Sequence, residues 1–377
     1  MQRSRKITRG FSLVELLIGM TVGLLVLGAA TQLFKTALNG TWTTTQRAEL
    51  QQDFRAASDY LMKDISLAGA GLGDIGIPLP SNSGTLPVYG CDQSNTCRIN
   101  GGAVAFPQAS PGNPLLYGLI PGFQLGPKIN GQQSDIITVA YSDNNFLLNC
   151  YSVNVTDSTH VTFTAPANPP PATCVLPPNL TAPQPVNDPV VGLTPGDLVW
   201  LQVTKTTTVN GTTTTVSGMA VGEVTNVAGG PNSFTVTFAG GDPLKINQPT
   251  ANGSLGKVVG YSAPNGTNRI LVITYYLDTL NGTPRLMRQV SGHTPVPVAE
   301  NVAQLQFSYD LFANNTVYAN QTDGGASLGL SPKQITKVNI LHLTMRSQMK
   351  GLSGYQGLDL QTSMGARNLT FTNSYPQ

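Results

Sequence analysis

Charge is scarce in this sequence. Asp, Glu, Lys and Arg make up 11 % of its 377 residues, roughly half the usual share. The formal net charge is +2, but Arg3, Arg5, Lys6 and Arg9 crowd into the first ten residues. Taking those four from the 21 basic residues leaves 17 against 19 acidic ones, which excludes a polybasic body and charge-driven binding to nucleic acid. Histidine is nearly absent: His160, His293 and His342 lie far apart, and the cysteines form no C-x-x-C. No zinc-ligand spacing exists, so neither a metal nor a cofactor is expected. Also missing are G-x-S-x-G, H-E-x-x-H, a Walker loop and a credible pair of carboxylates, so the chain is not expected to be an enzyme. A formal G-x-G-x-x-G at Gly71, Gly73 and Gly76 leads into Pro78 and follows a helical pattern rather than a strand, which is the wrong context for a dinucleotide.

Glycine (40) and proline (27) are plentiful, and 40 % of residues are hydrophobic. Together these imply a loop-rich, β-rich globular body. Cys91, Cys97, Cys150 and Cys174 sit in Pro-, Gly- and Asn-rich surroundings. An even count there suits disulfides in an oxidising compartment. Pairing Cys91 with Cys97 and Cys150 with Cys174 is the simplest of three connectivities.

After the basic leader, residues 11 to 34 read FSLVELLIGMTVGLLVLGAATQLF, with Glu15 as the only charge. A helix of this length spans about 36 Å, enough for a bilayer core. The preceding positive charges keep residues 1 to 10 cytoplasmic while the rest is translocated. A secretory signal cleaved after Ala30 and a plain signal anchor are both compatible with the apolar run. Neither explains Glu15, since a carboxylate within such a run costs up to roughly 2.5–3.5 kcal/mol on insertion.

Residues 9 to 20, Arg9-Gly10-Phe11-Ser12-Leu13-Val14-Glu15-Leu16-Leu17-Ile18-Gly19-Met20, resemble the signal of type IV prepilins and type II secretion pseudopilins. The resemblance implies that a prepilin peptidase cuts between Gly10 and Phe11 and that Phe11 is then N-methylated. It further implies that Glu15 sets register during assembly with other minor pilins and the major pilin. The physical logic is independent of the family. Gly10 lets an extended backbone approach a protease closely. Glu15 lies about one turn into the mature helix, where the dipole favours negative charge, and in lipid it seeks the amine of Phe11 on its own chain or a neighbour. Gly19 and Gly23 allow close helix approach.

Leu50, Phe54, Ala57, Leu61, Ile65 and Ala68 advance in steps of three and four, which is one amphipathic face. Polar residues between them, Asp53, Asp59, Lys63 and Asp64 among them, are assigned to the other face. One helix is expected over about 12 to 68, loosened around the Thr-rich residues 41 to 45 and ended by the Gly run from Gly69 to Pro78. The residues from Leu61 to Gly69 resemble the Leu-x-x-Asp-x-x-x-Ala-Gly helix end of PilW-like minor pilins.

Strands are expected over 135–141, 197–208, 212–227, 233–239, 269–278, 285–290, 302–311, 335–346 and 368–372, with residues 78–134 and 164–196 as loops. Asn210-Gly211 and Asn281-Gly282 mark short hairpin turns, and Thr204 to Ser217 reads as an exposed β-ribbon. The succession of strands after residue 268 is similar to the sheet of PilW-like pilins. The expected fold is therefore α+β and pilin-like. Residues 1–10 form a leader, 11–34 the membrane and polymerisation half of the helix, and 35–68 its amphipathic half. Residues 69–377 form a β-rich periplasmic or extracellular domain, with an enlarged insertion at 78–260 and a pilin-type sheet at 268–372. The resemblance implies a minor pilin held in the inner membrane before assembly and displayed on the pilus afterwards. A type II secretion pseudopilin is the alternative, as is a tip adhesin that contacts a host or other surface through the insertion.

Overall fold

The computed structural model describes residues 12–73, 76–81, 84–108, 113–166, 174, 176, 180, 182–263, 266–347, 356–366 and 368–369. A single helix, α1 (Leu13–Leu67), opens the chain. The chain divides into two compact units, Met1–Gln52 and Asp53–Gln377. The first is the apolar run and its continuation. Large apolar side chains from Leu13 to Phe34 are all exposed, Leu13 by 76 % and Leu25 by 74 %. An apolar surface on every side of a helix is suited to lipid or to other helices rather than to water.

The expected loosening at residues 41 to 45 is not observed, because α1 runs through them without a break. The hydroxyls of Thr41, Thr43 and Thr44 donate to the carbonyls four residues earlier at 2.7–3.0 Å. They satisfy themselves on the helix's own backbone instead of competing for it.

In the second unit, Ala57, Leu61, Ile65 and Ala68 are fully buried, as the spacing predicts. The helix stops where expected: Gly69 has φ +77°, a left-handed conformation that glycine adopts without a Cβ clash. A Cβ on Gly118 would come within 2.6 Å of the Gly69 Cα, so the helix end and the bend at Gly118 approach backbone to backbone. The Gly69 N–H donates to the Ala140 carbonyl at 2.9 Å, and the Ser142 N–H to the Ala70 carbonyl at 2.8 Å.

Within the second unit, the end of the helix rests on antiparallel β-structure. Twelve strands form one sheet: β1 (Leu119–Gly122), β2 (Ile136–Ser142), β3 (Ser152–Val155), β4 (His160–Thr164), β5 (Leu198–Val209), β6 (Thr212–Glu223), β7 (Asn226–Gly229), β8 (Ser233–Thr237), β9 (Ser262–Ala263), β10 (Thr267–Leu280), β11 (Thr283–Val290) and β12 (Val296–Glu300). The path runs β7-β8-β4-β3-β9-β5-β10-β11-β12, with β6 on β5 and β1 on β2, which itself pairs with β10. Four more strands, β13 (Val302–Ala313), β14 (Thr316–Gln321), β15 (Ile335–Ser347) and β16 (Gln356–Gly365), form a second sheet in the order β14-β13-β15-β16. Both Asn-Gly hairpins form with positive φ at each turn residue, 49° and 77° at Asn210-Gly211 and 51° and 81° at Asn281-Gly282.

Three strand expectations are corrected. The closing strand is β16, not 368–372: Asn368 and Leu369 are helical, and residues 370–372 lie outside the described residues. Asn368 donates its side-chain amide to the Ala68 carbonyl at 3.3 Å, and Leu369 packs over Gly69, so helix capping wins over the local alternation. The run 212–227 is two strands, separated where Val224 N–H turns back to the Asp197 carbonyl. The loop expected at 78–134 contains β1 and several two-residue strands, such as Ile77–Pro78 paired with Leu115–Leu116.

Candidate functional site

Of the residues singled out for processing and assembly, Gly10 and Phe11 lie outside the described residues. Glu15 lies in the first turn of α1, where the Leu16 N–H donates to the Ser12 carbonyl at 3.1 Å. Its side chain is exposed, and among the described residues it forms no ion pair. The acid therefore stands at the positive end of the helix dipole, surrounded by bare leucine, valine and isoleucine. Added Cβ atoms at Gly19, Gly23 and Gly28 would touch nothing, and Gly19 and Gly23, one turn apart, share a face that is open to close approach by another helix. By length and composition, α1 is the one described helix apolar enough to cross a membrane.

A second group of residues fixes the far end of the helix to the sheet, and sequence reasoning missed it. Asp64, assigned to the polar face, is 1 % exposed. Its Oδ2 accepts from Arg288 Nε at 2.8 Å and from the Tyr275 hydroxyl at 2.6 Å, and its Oδ1 from the Tyr141 hydroxyl at 3.2 Å. Tyr141 stands on β2, Tyr275 on β10 and Arg288 on β11, with Tyr275 and Arg288 directly opposite each other across the ladder. Burial and the Asp64 charge hold both tyrosines well above the ordinary phenol range, so they remain donors. Burial alone would lower the Arg288 pKa, but its hydrogen bond and ion pair with Asp64 more than offset this and raise it. The signal was present in the spacing, since Asp64 falls three after Leu61 and four before Ala68, on the buried stripe itself.

The other ionisable groups are structural in their contacts. Cys91 is bonded to Cys97 and Cys150 to Cys174. The three histidines are not brought together, and each instead faces one aspartate at 2.9 Å: His160 with Asp157, His293 with Asp197 and His342 with Asp359. Arg269 ties Asp143 to Asp197. Glu223 is fully buried. Burial and the neighbouring Asp242 carboxylate push its pKa up to about 9, and it accepts from the Gln93 side chain at 2.5 Å and the Leu244 N–H at 3.1 Å. Among the described residues no group of three or more His, Cys, Asp or Glu side chains is placed to hold a metal.

Residues 5–31 match the family described as the prokaryotic N-terminal methylation motif. A motif of this kind supports a type IV pilin-like or pseudopilin protein. The motif on a pilin-like chain implies processing by prepilin peptidase and assembly with other pilins. Joined to an apolar N-terminal helix, it is consistent with membrane anchoring and incorporation into a pilus. No curated protein and no solved structure matches the chain.

Proposed function

We propose that this pilin-like chain is a non-catalytic minor pilin of the PilW-like kind, which takes part in priming type IV pilus assembly at or near the tip. It is held in the inner membrane by residues 11–34 and leaves the membrane by lateral packing of α1 against the other minor pilins and the major pilin. The observation that carries the reading is the placement of Glu15, a lone acid in the first turn of a helix whose apolar side chains are all exposed, inside the methylation motif. An acid there gains most from a free α-amine, and removal of the leader supplies one at Phe11 in each subunit. Helix insertion into a bundle thereby becomes selective for one axial register.

Mass spectrometry of the mature N-terminus tests the processing step. N-methyl-Phe11 is the expected species, and a start at Thr31 or an unprocessed Met1 overturns the proposal. Deletion of the gene separates the pilus reading from the pseudopilin alternative, because loss of pili and twitching is expected with protein secretion intact. A tip-adhesin role draws support from a cavity of about 610 Å³ lined by Pro107, Leu115, Tyr117, Pro121 and Leu330 among others, a size within the range of small-ligand sites. Substituting the half-exposed Leu330 with Ala is expected to weaken surface attachment while pilus number is retained, and unchanged attachment removes that role.

A further inference from the structure

The β5–β6 hairpin is an exposed two-stranded ribbon over its outer half. All residues from Lys205 to Ser217 are exposed, and the two 12-residue strands pair from Leu198↔Glu223 to Val209↔Thr212 without a register shift. A two-residue turn makes Val209↔Thr212 a hydrogen-bonded pair, and such pairs alternate with non-hydrogen-bonded ones. Thr206↔Thr215 and Thr208↔Thr213 are therefore the close, non-bonded pairs. Their hydroxyls meet at 3.1 Å, as that parity requires. It follows that the N–H and C=O of Thr213, Thr215 and Ser217 point away from β5, along the outer edge of β6.

The same parity is confirmed where the edge is covered. Nearer the body, the Val221 N–H donates outward to the Gly253 carbonyl at 3.1 Å, and on the opposite edge the Gln202 N–H donates to the Gly266 carbonyl at 2.7 Å. From Thr213 to Ser217 no described residue takes those groups. Folded proteins blunt such an edge with charge, proline, a bulge or short length. This edge has none of these, since residues 212–222 contain neither charge nor proline.

We infer that the outer edge of β6 is a strand-addition surface and that its occupant is β6 of a second copy of this chain, antiparallel about a two-fold axis near Thr215. Charge favours this partner. The one ion on the ribbon is Lys205, on β5, and in the order β5-β6-β6′-β5′ the two lysines lie three strand spacings apart, about 14 Å, beyond the screening length at physiological salt. An uncharged, β-branched strand meets an identical one without like-charge opposition, and exposed Val209 and Val216 (61 % and 50 %) add apolar contact to the joined ribbons. Lys205 guards the β5 edge, so pairing through β6 closes at two copies.

The test is amide hydrogen exchange on the full chain in detergent, across protein concentrations, beside a Thr215→Pro variant. Residue 215 donates nothing to β5, so proline there leaves the hairpin ladder whole and blocks only the added strand. The amides of Thr213, Thr215 and Ser217 are expected to slow by about tenfold or more at high concentration, with the effect at 213 and 217 lost in the variant. Exchange independent of concentration overturns the inference, as does protection that survives the substitution or that appears only when another pilin is added. If Thr215→Pro also exposes the Thr207 and Thr214 amides, Thr215→Lys replaces it. That variant sets two like charges at the two-fold, and retained protection in it overturns the inference.

Discussion

A carboxylate with three donors and almost no water around it is a joint, and Asp64 is the joint between helix and sheet. Its partners come from three strands, so removing it leaves the half-buried Arg288 without its carboxylate beside two tyrosine hydroxyls that lose their acceptor. Breaking one side of such a pair costs about 3–5 kcal/mol. Asp64→Ala is expected to lose that much in chemical denaturation, whereas Asp59→Ala, on the exposed face, stays within about 0.5 kcal/mol of the parent. Glu223 acts in the opposite sense. In the unfolded chain it ionises near 4.5, but in the fold it keeps its proton up to about 9. Across that window the folded state binds more protons, so the stability it contributes below the lower value is lost as pH rises towards the upper one. Urea midpoints for the parent are expected to fall between about pH 5 and pH 8, and Glu223→Gln, which retains a donor towards Asp242, flattens that fall. The burial of Asp64 was legible in its place on the apolar stripe, but its partners Tyr141, Tyr275 and Arg288 were not, and the environment of Glu223 is likewise assembled from Gln93, Asp242 and Leu244, which are distant in the chain.

Local chemistry made some elements readable. Asn-Gly turns require positive φ, and both hairpins form where that dipeptide stands between β-branched runs. The helix end was readable for the same reason, through Gly69. The closing strand was not, although β16 alternates, with Leu358, Leu360, Thr362 and Met364 half-buried between exposed Asp359, Gln361 and Ser363: it is a sheet edge with few large apolar residues, so its pattern does not stand out. Asn-Leu at 368–369 alternates well but is recruited to the helix end. What the sequence could not announce at all is the partner of Gly69: Gly118 is unremarkable in the chain, yet its lack of a side chain admits the helix end. Gly118→Ala is expected to destabilise the second unit by about 1–3 kcal/mol through overpacking. Gly365→Ala, where an added Cβ meets nothing, is expected to be neutral in the same denaturation experiment.

At the scale of the whole molecule, the N-terminal motif remains the most informative stretch, because a charge in an apolar run demands a chemical reason. Glu15→Ala is expected to reduce pilus number sharply while the protein still accumulates in the membrane. Electron microscopy of surface pili with a membrane immunoblot reads both, and normal piliation counts against the assembly role. The cross-links bear on a different property. Cys91–Cys97 and Cys150–Cys174 join residues only 6 and 24 positions apart, so neither ties one end of the chain to the other. Under tension drawn through the helix, these bonds withhold only two short loops from extension, and each remaining residue can pay out as much as about 3.5 Å of tether. Mechanical endurance therefore rests on the shear strength of hydrogen-bonded ladders and on the salt-bridged helix end, not on sulfur.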